Sequence, residues 1–292
     1  MSPSPAFHRP DTLEEAFAVL DELGDEARVV AGSTAVTIML RQRLIAPAAL
    51  VSIGRIGGLT GISRNDGWLE IGALTTHREM ERSDVVREAI PVLAETFGKV
   101  ANVRVRNQAT VGGVLAEADY ASDPPAVLLA LGAEVVARGS GGERTIPLDG
   151  FFKGFYETDL AANEILTSVR VPVPASGTGA VYEKYVTRSS EDRPCVGVVA
   201  AVRFAGDGRT VEDLRVGVAA AAETPQRFPD VEATAHGQEL TDGLARSIAD
   251  EYAGRIDTLE DLRGSSWYRT EMVRVWVRRA IEGAAARANG RP

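Results

Sequence analysis

The sequence predicts an α+β protein built from a small α/β unit, a second mixed unit and a C-terminal antiparallel sheet carrying helices. Three observations lead there. An amphipathic helix pattern near the start is followed by short β-like runs, a Pro/Gly-rich break falls at Pro172 to Gly179, and three strand-like runs beyond it precede two helical patterns.

In chain order, Thr12-Leu-Glu-Glu15 reads as a capping box, and Leu13, Phe17, Leu20 and Leu23 keep helical spacing until Gly24. Ala27 to Val30 reads as a strand, Ala31 to Ala35 as a loop, Thr37 to Leu44 as a short helix and Ala49 to Ile53 as a second strand, giving a first subdomain over residues 1–55. The second subdomain, residues 56–175, opens with a strand at Trp68 to Leu74 and a helical zone at Asp84 to Val100 that Pro91 restarts. A glycine segment follows. Pro124 and Pro125 suit a first helical turn, where a missing N–H costs nothing, with Ser122 or Asp123 as its cap. Ala133 to Arg138 and Glu143 to Leu148 form a hairpin around Gly139-Ser-Gly-Gly142, and Glu164 to Val173 is another strand. The break at Pro172-Val-Pro-Ala-Ser-Gly-Thr-Gly179 sets the domain boundary. In the C-terminal domain, residues 180–292, strands are expected at Val181 to Thr187, Val196 to Phe204 and Val211 to Ala219, and helices at Leu244 to Tyr252 and Ser266 to Ala286.

Composition narrows the function. A formal net charge of −9 leaves no basic excess to displace counterions from nucleic acid. No apolar run approaches the roughly 18 residues of a membrane helix, and the start lacks the pattern of an export signal, so a cytoplasmic protein is expected. The single cysteine, Cys195, excludes an internal disulfide and cannot supply the thiolates of an iron–sulfur cluster. With only three histidines beside it, a dedicated metal site is not expected, and redox chemistry would rest on an organic cofactor.

Two segments carry the candidate chemistry. Ala31-Gly-Ser-Thr-Ala35 lies between a strand and a helix, where backbone N–H groups are free for an anion. Ala109-Thr-Val-Gly-Gly113 leads toward Asp123, and its Gly112 and Gly113 allow a sharp turn and close backbone approach. A plain turn is the simpler reading of either segment alone. Together they suit a long, diphosphate-bridged cofactor.

Read with their flanks, these segments resemble the flavoprotein (medium) subunit of the molybdenum hydroxylases, the group of carbon monoxide dehydrogenase and the xanthine dehydrogenases. The landmarks are Ala31-Gly-Ser-Thr, Ile71-Gly-Ala-Leu-Thr-Thr-His77, Val105 to Gly113, Ala118-Asp-Tyr-Ala-Ser-Asp123, Asn163-Glu-Ile-Leu166, and Asp261-Leu-Arg-Gly-Ser265 with Tyr268-Arg269. They stand in the family order across nearly the whole chain. The resemblance implies an FAD-binding domain of the p-cresol methylhydroxylase type in two subdomains, then the α+β C-terminal domain of these subunits. By position it makes Ala31, Gly32, Ser33, Thr34 and Ala35 the first diphosphate loop, and Thr110, Val111, Gly112, Gly113 and Val114 the second. It makes Asp123 the carboxylate for cofactor hydroxyls, Ala101 a lining residue, Leu166 an apolar wall and Lys184 a polar or cationic partner. Read from the residues alone, Asp123 can be a helix cap as well as a ligand group, the two roles being compatible, and Lys184 can be a solvated strand position.

The resemblance further implies non-covalent FAD, a large partner bearing the molybdenum cofactor, a small partner bearing two 2Fe–2S clusters, and a dimer of such heterotrimers. Electrons would pass from the clusters to FAD and on to an acceptor such as NAD⁺, a quinone or dioxygen, with no catalytic residue on this chain. Ser33 and Ala35 replace a glycine and an acid common in the family loop, Val114 replaces an asparagine and Glu117 a histidine, so altered flavin binding is an open expectation. A stand-alone flavin oxidoreductase and a flavin-free scaffold subunit are the alternatives.

Overall fold

The structure, a computed structural model, describes residues 4–291. Its N-terminal unit comprises β1 (Ala6–His8), α1 (Leu13–Leu23), β2 (Ala27–Val30), α2 (Val36–Arg41) and β3 (Ala49–Ser52). The strands form a parallel sheet in the order β1-β3-β2. Leu13, Ala16, Phe17 and Leu20 form the buried face of α1, which packs with Val51 and Ile53. The cap of α1 differs from the expected box. Thr12 accepts the Glu15 N–H, but the Glu15 carboxylate takes the N–H of Asp11, one residue earlier. A complete capping box occurs instead at Thr76 and Glu79.

The second unit adds β4 (Ile62–Asn65), β5 (Trp68–Gly72), α3 (His77–Arg82), α4 (Asp84–Ala89), α5 (Pro91–Gly98), α6 (Val103–Arg106), α7 (Val111–Glu117) and α8 (Pro124–Ala130). Then come β6 (Glu134–Gly139), β7 (Gly142–Pro147), β8 (Phe152–Gly154), β9 (Glu157–Thr158) and β10 (Ile165–Pro172). A five-stranded sheet, β4-β5-β10-β6-β7, is antiparallel throughout. Pro91 separates α4 from α5, as its missing N–H requires.

After the break come β11 (Gly179–Tyr185), β12 (Val196–Phe204), β13 (Val211–Ala219), α9 (Pro229–Ala233), α10 (Asp242–Arg255) and α11 (Ser266–Ala288). The sheet is antiparallel, β11-β12-β13. The first seven residues of β12 are all buried, which explains a continuous apolar run where a one-sided sheet would alternate. One face packs on α11, and the other receives α8 from the preceding unit. Gly217 makes that approach possible, since a Cβ there would lie 2.6 Å from the carbonyl oxygen of Ala126.

A second tie crosses the units through Asp261. The Arg269 side chain is fully buried at 0% exposure. It donates to the carbonyls of Cys195 and Ala220 and to the Asp261 carboxylate. Asp261 also accepts from Arg263 at 2.7 Å and from the Tyr120 hydroxyl, on the α7–α8 connection, at 2.8 Å. Burial pushes the Asp261 carboxyl up, but the Arg263 side chain and N–H, with Tyr120, outweigh it and hold it well below the usual carboxylate range. Asp261→Ala would leave Arg269 buried without its countercharge, so we expect a loss of about 3–5 kcal/mol in urea unfolding at pH 7. A depressed folded-state carboxyl stabilises above its unfolded value, near 4, and that contribution fades as pH falls further. The wild-type and Asp261→Ala stability curves should therefore converge in acid.

Candidate cofactor cleft

Between β2, α7, β10 and the start of the C-terminal sheet lies a cleft of about 1560 Å³. That exceeds the roughly 300–1,000 Å³ of a drug-sized site and suits an extended dinucleotide. Of the residues expected at a cofactor site, Ala31, Gly32, Ser33, Thr34, Ala35, Ala101, Thr110, Gly112, Gly113, Val114, Asp123, Leu166 and Lys184 line it. Val111 does not. Its side chain is 0% exposed and belongs to the core of the second unit.

The first loop leaves β2 and turns into α2. Gly32 is demanded by the other segment, because a Cβ would fall 1.7 Å from the carbonyl oxygen of Gln108. The backbone N–H groups of Gly32 through Val36 make no hydrogen bond among the described residues, so the loop presents a run of free donors. Ser33, where the family commonly has glycine, keeps the left-handed conformation that glycine favours, with φ +56°. Its hydroxyl donates to the carbonyl of Ala31 at 3.3 Å.

The second segment departs from expectation. Gly112 and Gly113 do not turn the chain through positive φ; they lie in the first turn of α7, capped by Thr110. Nor are the donors of Val111 to Val114 free. The Val111 and Gly112 N–H groups bind the carbonyls of Thr75 and Ala73 at 2.9 and 2.8 Å. Gly113 and Val114 donate to the Thr110 hydroxyl and carbonyl at 3.1 and 3.0 Å. Gly112 is needed for packing, since a Cβ would come within 2.6 Å of the Ala73 Cβ. Gly113 keeps the wall low; its Cβ would meet the Thr110 hydroxyl at 2.7 Å.

Asp123, also in the lining, is buried but does not cap α8, for its side chain makes no bond to that helix. Its own backbone is already helical, φ −72° and ψ −49°, and its carboxylate turns to β11. It accepts from the Tyr182 hydroxyl at 2.6 Å and from Lys184 Nζ at 2.9 Å. Lys184 also donates to the Lys99 carbonyl at 2.9 Å, so it is an enclosed cation and not a solvated strand residue. Burial pushes the Asp123 carboxyl up, while Lys184, Tyr182 and Lys99 oppose that rise. The Tyr182 hydroxyl is raised well above its usual value by burial and the adjacent carboxylate. Tyr182 was not anticipated as part of this group, although its spacing of two from Lys184 puts both on one strand face.

Ala101 also adopts positive φ, +42°, and its carbonyl accepts from Arg106 at 2.8 Å. Leu166 stands beside a β-bulge between β10 and β6. His77 opens α3 and packs edge-on against Phe97 at 4.9 Å. Burial lowers its imidazole to about 4, so at neutral pH it is an uncharged part of the wall.

A dinucleotide-sized cleft lined by free loop donors and by a buried carboxylate–ammonium pair defines a nucleotide-cofactor protein. The chain belongs to the FAD-binding medium-subunit family of the molybdenum hydroxylases, and is an oxidoreductase subunit. Residues 3–174 match the FAD binding domain in molybdopterin dehydrogenase, and residues 181–284 match the CO dehydrogenase flavoprotein C-terminal domain. The carbon monoxide dehydrogenase medium chain of Hydrogenophaga pseudoflava is 35% identical, over 96% of this chain and 97% of its own length. The xanthine dehydrogenase FAD-binding subunit of Escherichia coli O157:H7 is 27% identical, over 98% of both. Among solved structures, the carbon monoxide dehydrogenase of H. pseudoflava superposes with a TM-score of 0.94 at 36% identity, over 98% of this chain and 99% of that one. Quinoline 2-oxidoreductase of Pseudomonas putida 86 gives 0.91 at 29% identity, over 99% of both chains.

Since a left-handed serine is strained by about 1–2 kcal/mol, and added glycine flexibility offsets part of that, Ser33→Gly should stabilise the chain by up to about 1 kcal/mol. Paired thermal melts check this. A lower melting temperature would mean that the serine hydroxyl outweighs the backbone strain.

Proposed function

We propose that this chain holds one FAD non-covalently in the cleft and serves as the electron-transfer subunit of a molybdenum hydroxylase complex. The observation that carries the reading is the run of unpaired N–H groups from Gly32 to Val36, in a cleft of dinucleotide size, within a family defined by FAD binding. Those N–H groups and the Thr34 hydroxyl would hold the diphosphate. Gly112 and Gly113 would serve by leaving room, Asp123 would accept from cofactor hydroxyls, Lys184 would supply positive charge, and Ala101 and Leu166 would form apolar walls. Val111 would support the site from the core. FAD stores two electrons and can exchange them singly, so the protein's part is placement and electrostatics. On this reading no side chain of the chain is catalytic, and the described residues include no metal-binding group of His, Cys, Asp and Glu.

We assign the FAD-binding domain to residues 1–175, with subdomains at about 1–55 and 56–175, and the C-terminal domain to residues 180–292. The partners would be a large subunit with the molybdenum cofactor and a small subunit with two 2Fe–2S clusters, paired as a dimer of heterotrimers in the cytoplasm. What supports the assembly is kinship with proteins named as medium chains and FAD-binding subunits. No helix of the described residues is long and apolar enough to cross a membrane.

The full chain should take up one FAD, which acid precipitation should release. Gly113→Val, whose branched side chain displaces the Thr110 hydroxyl and raises the cleft wall, should weaken FAD at least about tenfold, a cost of about 1.4 kcal/mol. Unchanged affinity in the folded variant would move the site elsewhere. In rapid-scan absorbance of the three-subunit complex, substrate should bleach the clusters and reduce the flavin. Omitting the small subunit should abolish the flavin signal; substrate-driven reduction of the isolated chain would instead indicate a stand-alone oxidoreductase.

A further inference from the structure

Glu117 has no part in the reading above. It stands on α7 four residues after Gly113, hence on the same helix face, and both residues line the cleft. Its Oε1 is buried and has no hydrogen-bond partner among the described residues. Such an atom is costly unless a ligand or a proton satisfies it.

The surroundings supply Oε1 no hydrogen-bond partner, and the nearby cations Arg193 and Arg28 do not outweigh its burial. Asp119, two residues on, adds a negative charge and pairs with Arg193, whose Nη2 lies 2.5 Å from its Oδ2, while the Arg193 charge still draws the Glu117 carboxyl down through space. Arg28 on β2 acts on Glu117 only through space. On the β8–β9 side, Glu157 brings further negative charge to the lining, and burial raises the Tyr156 hydroxyl above its usual value. Glu164, before β10, is held by Arg144, and Asp123, before α8, by Lys184.

We propose that Glu117 is a cofactor-recognition residue that works as the neutral acid, donating its proton to an acceptor atom of the flavin nucleotide, so that FAD binding takes up a proton above neutral pH. The proposal rests on the cleft being the FAD site. An ionised carboxylate here would face a ligand whose diphosphate is also anionic; a neutral carboxyl supplies a donor instead. Burial and then Asp119 push Glu117 up to about 7, so the free chain is protonated below that value and ionised above it. Bound FAD, by using the proton, keeps Glu117 neutral to higher pH. Of the other cleft groups, His77 is uncharged and Tyr156 protonated over this range, while Asp123 is also pushed up by burial, so Glu117→Gln is what assigns the proton to Glu117.

The test is calorimetric titration of FAD into the full-length apo chain between pH 5.5 and 8.5, in buffers of different ionisation enthalpy. The wild-type Kd should be constant at the acid end and rise by up to about tenfold per pH unit above 7, with uptake approaching one proton per FAD near pH 8. Glu117→Gln keeps a donor but cannot ionise, so its Kd should be flat and its proton uptake nil. Wild-type binding without proton uptake at pH 8 would overturn the proposal, as would a Glu117→Gln profile identical to wild type. If Glu117→Gln does not fold, Glu117→Ala serves as the second variant, and wild-type-like proton uptake in it would overturn the proposal. Absence of FAD binding at every pH would instead remove the cleft assignment on which the proposal stands.

Discussion

The Asp123 carboxylate, shared between the Tyr182 hydroxyl and the Lys184 ammonium, is the contact on which the rest of the cleft depends. It joins the start of α8 to β11 across the boundary between the units. Lys99, at the end of α5, completes the junction, for its ammonium binds the Tyr182 carbonyl while its own carbonyl accepts from Lys184. Two charges removed from water need each other and all their hydrogen bonds. Here each charge faces the other and gains one further hydrogen bond, to Tyr182 for Asp123 and to the Lys99 carbonyl for Lys184, and the pairing fixes where the C-terminal sheet stands relative to the cleft.

That position is reinforced by the layer α8 provides. All seven of its residues are buried, since it packs on its own unit and on β12 and β13 at once. A helix apolar all round is the expected result of such shared burial. Arg269 and Asp261 tie the same region from the far side, through Tyr120. The units are thus held on both flanks of the connection between α7 and α8, the stretch that contains Glu117, Asp119 and Asp123.

Backbone strain gathers around the cleft as well. Among the described residues, three of the seven non-glycine positions with positive φ, Ser33, Ala101 and Tyr156, line it. Left-handed conformations of this kind persist where surrounding contacts over-determine them. Ser33 is held by its loop's approach to Gln108, and Ala101 by the guanidinium of Arg106.

By itself the sequence determined the α+β class, the strands Ala27–Val30, Val196–Phe204 and Val211–Ala219, the restart at Pro91 and the family signature. Those features arise within a few residues: side-chain periodicity, a missing proline N–H, a turn rich in glycine. Tertiary structure decided which donors remain free. The Gly112 N–H is occupied by the carbonyl of Ala73, and Asp123 serves β11 in place of its own helix, because partners distant in the chain arrive there on folding. It likewise made α7 a helix where a loop was expected, and paired β1 with β3, neither of which local spacing discloses. The glycines were legible as necessary, but their reason was not, since the atom that a Cβ would strike belongs to a distant segment.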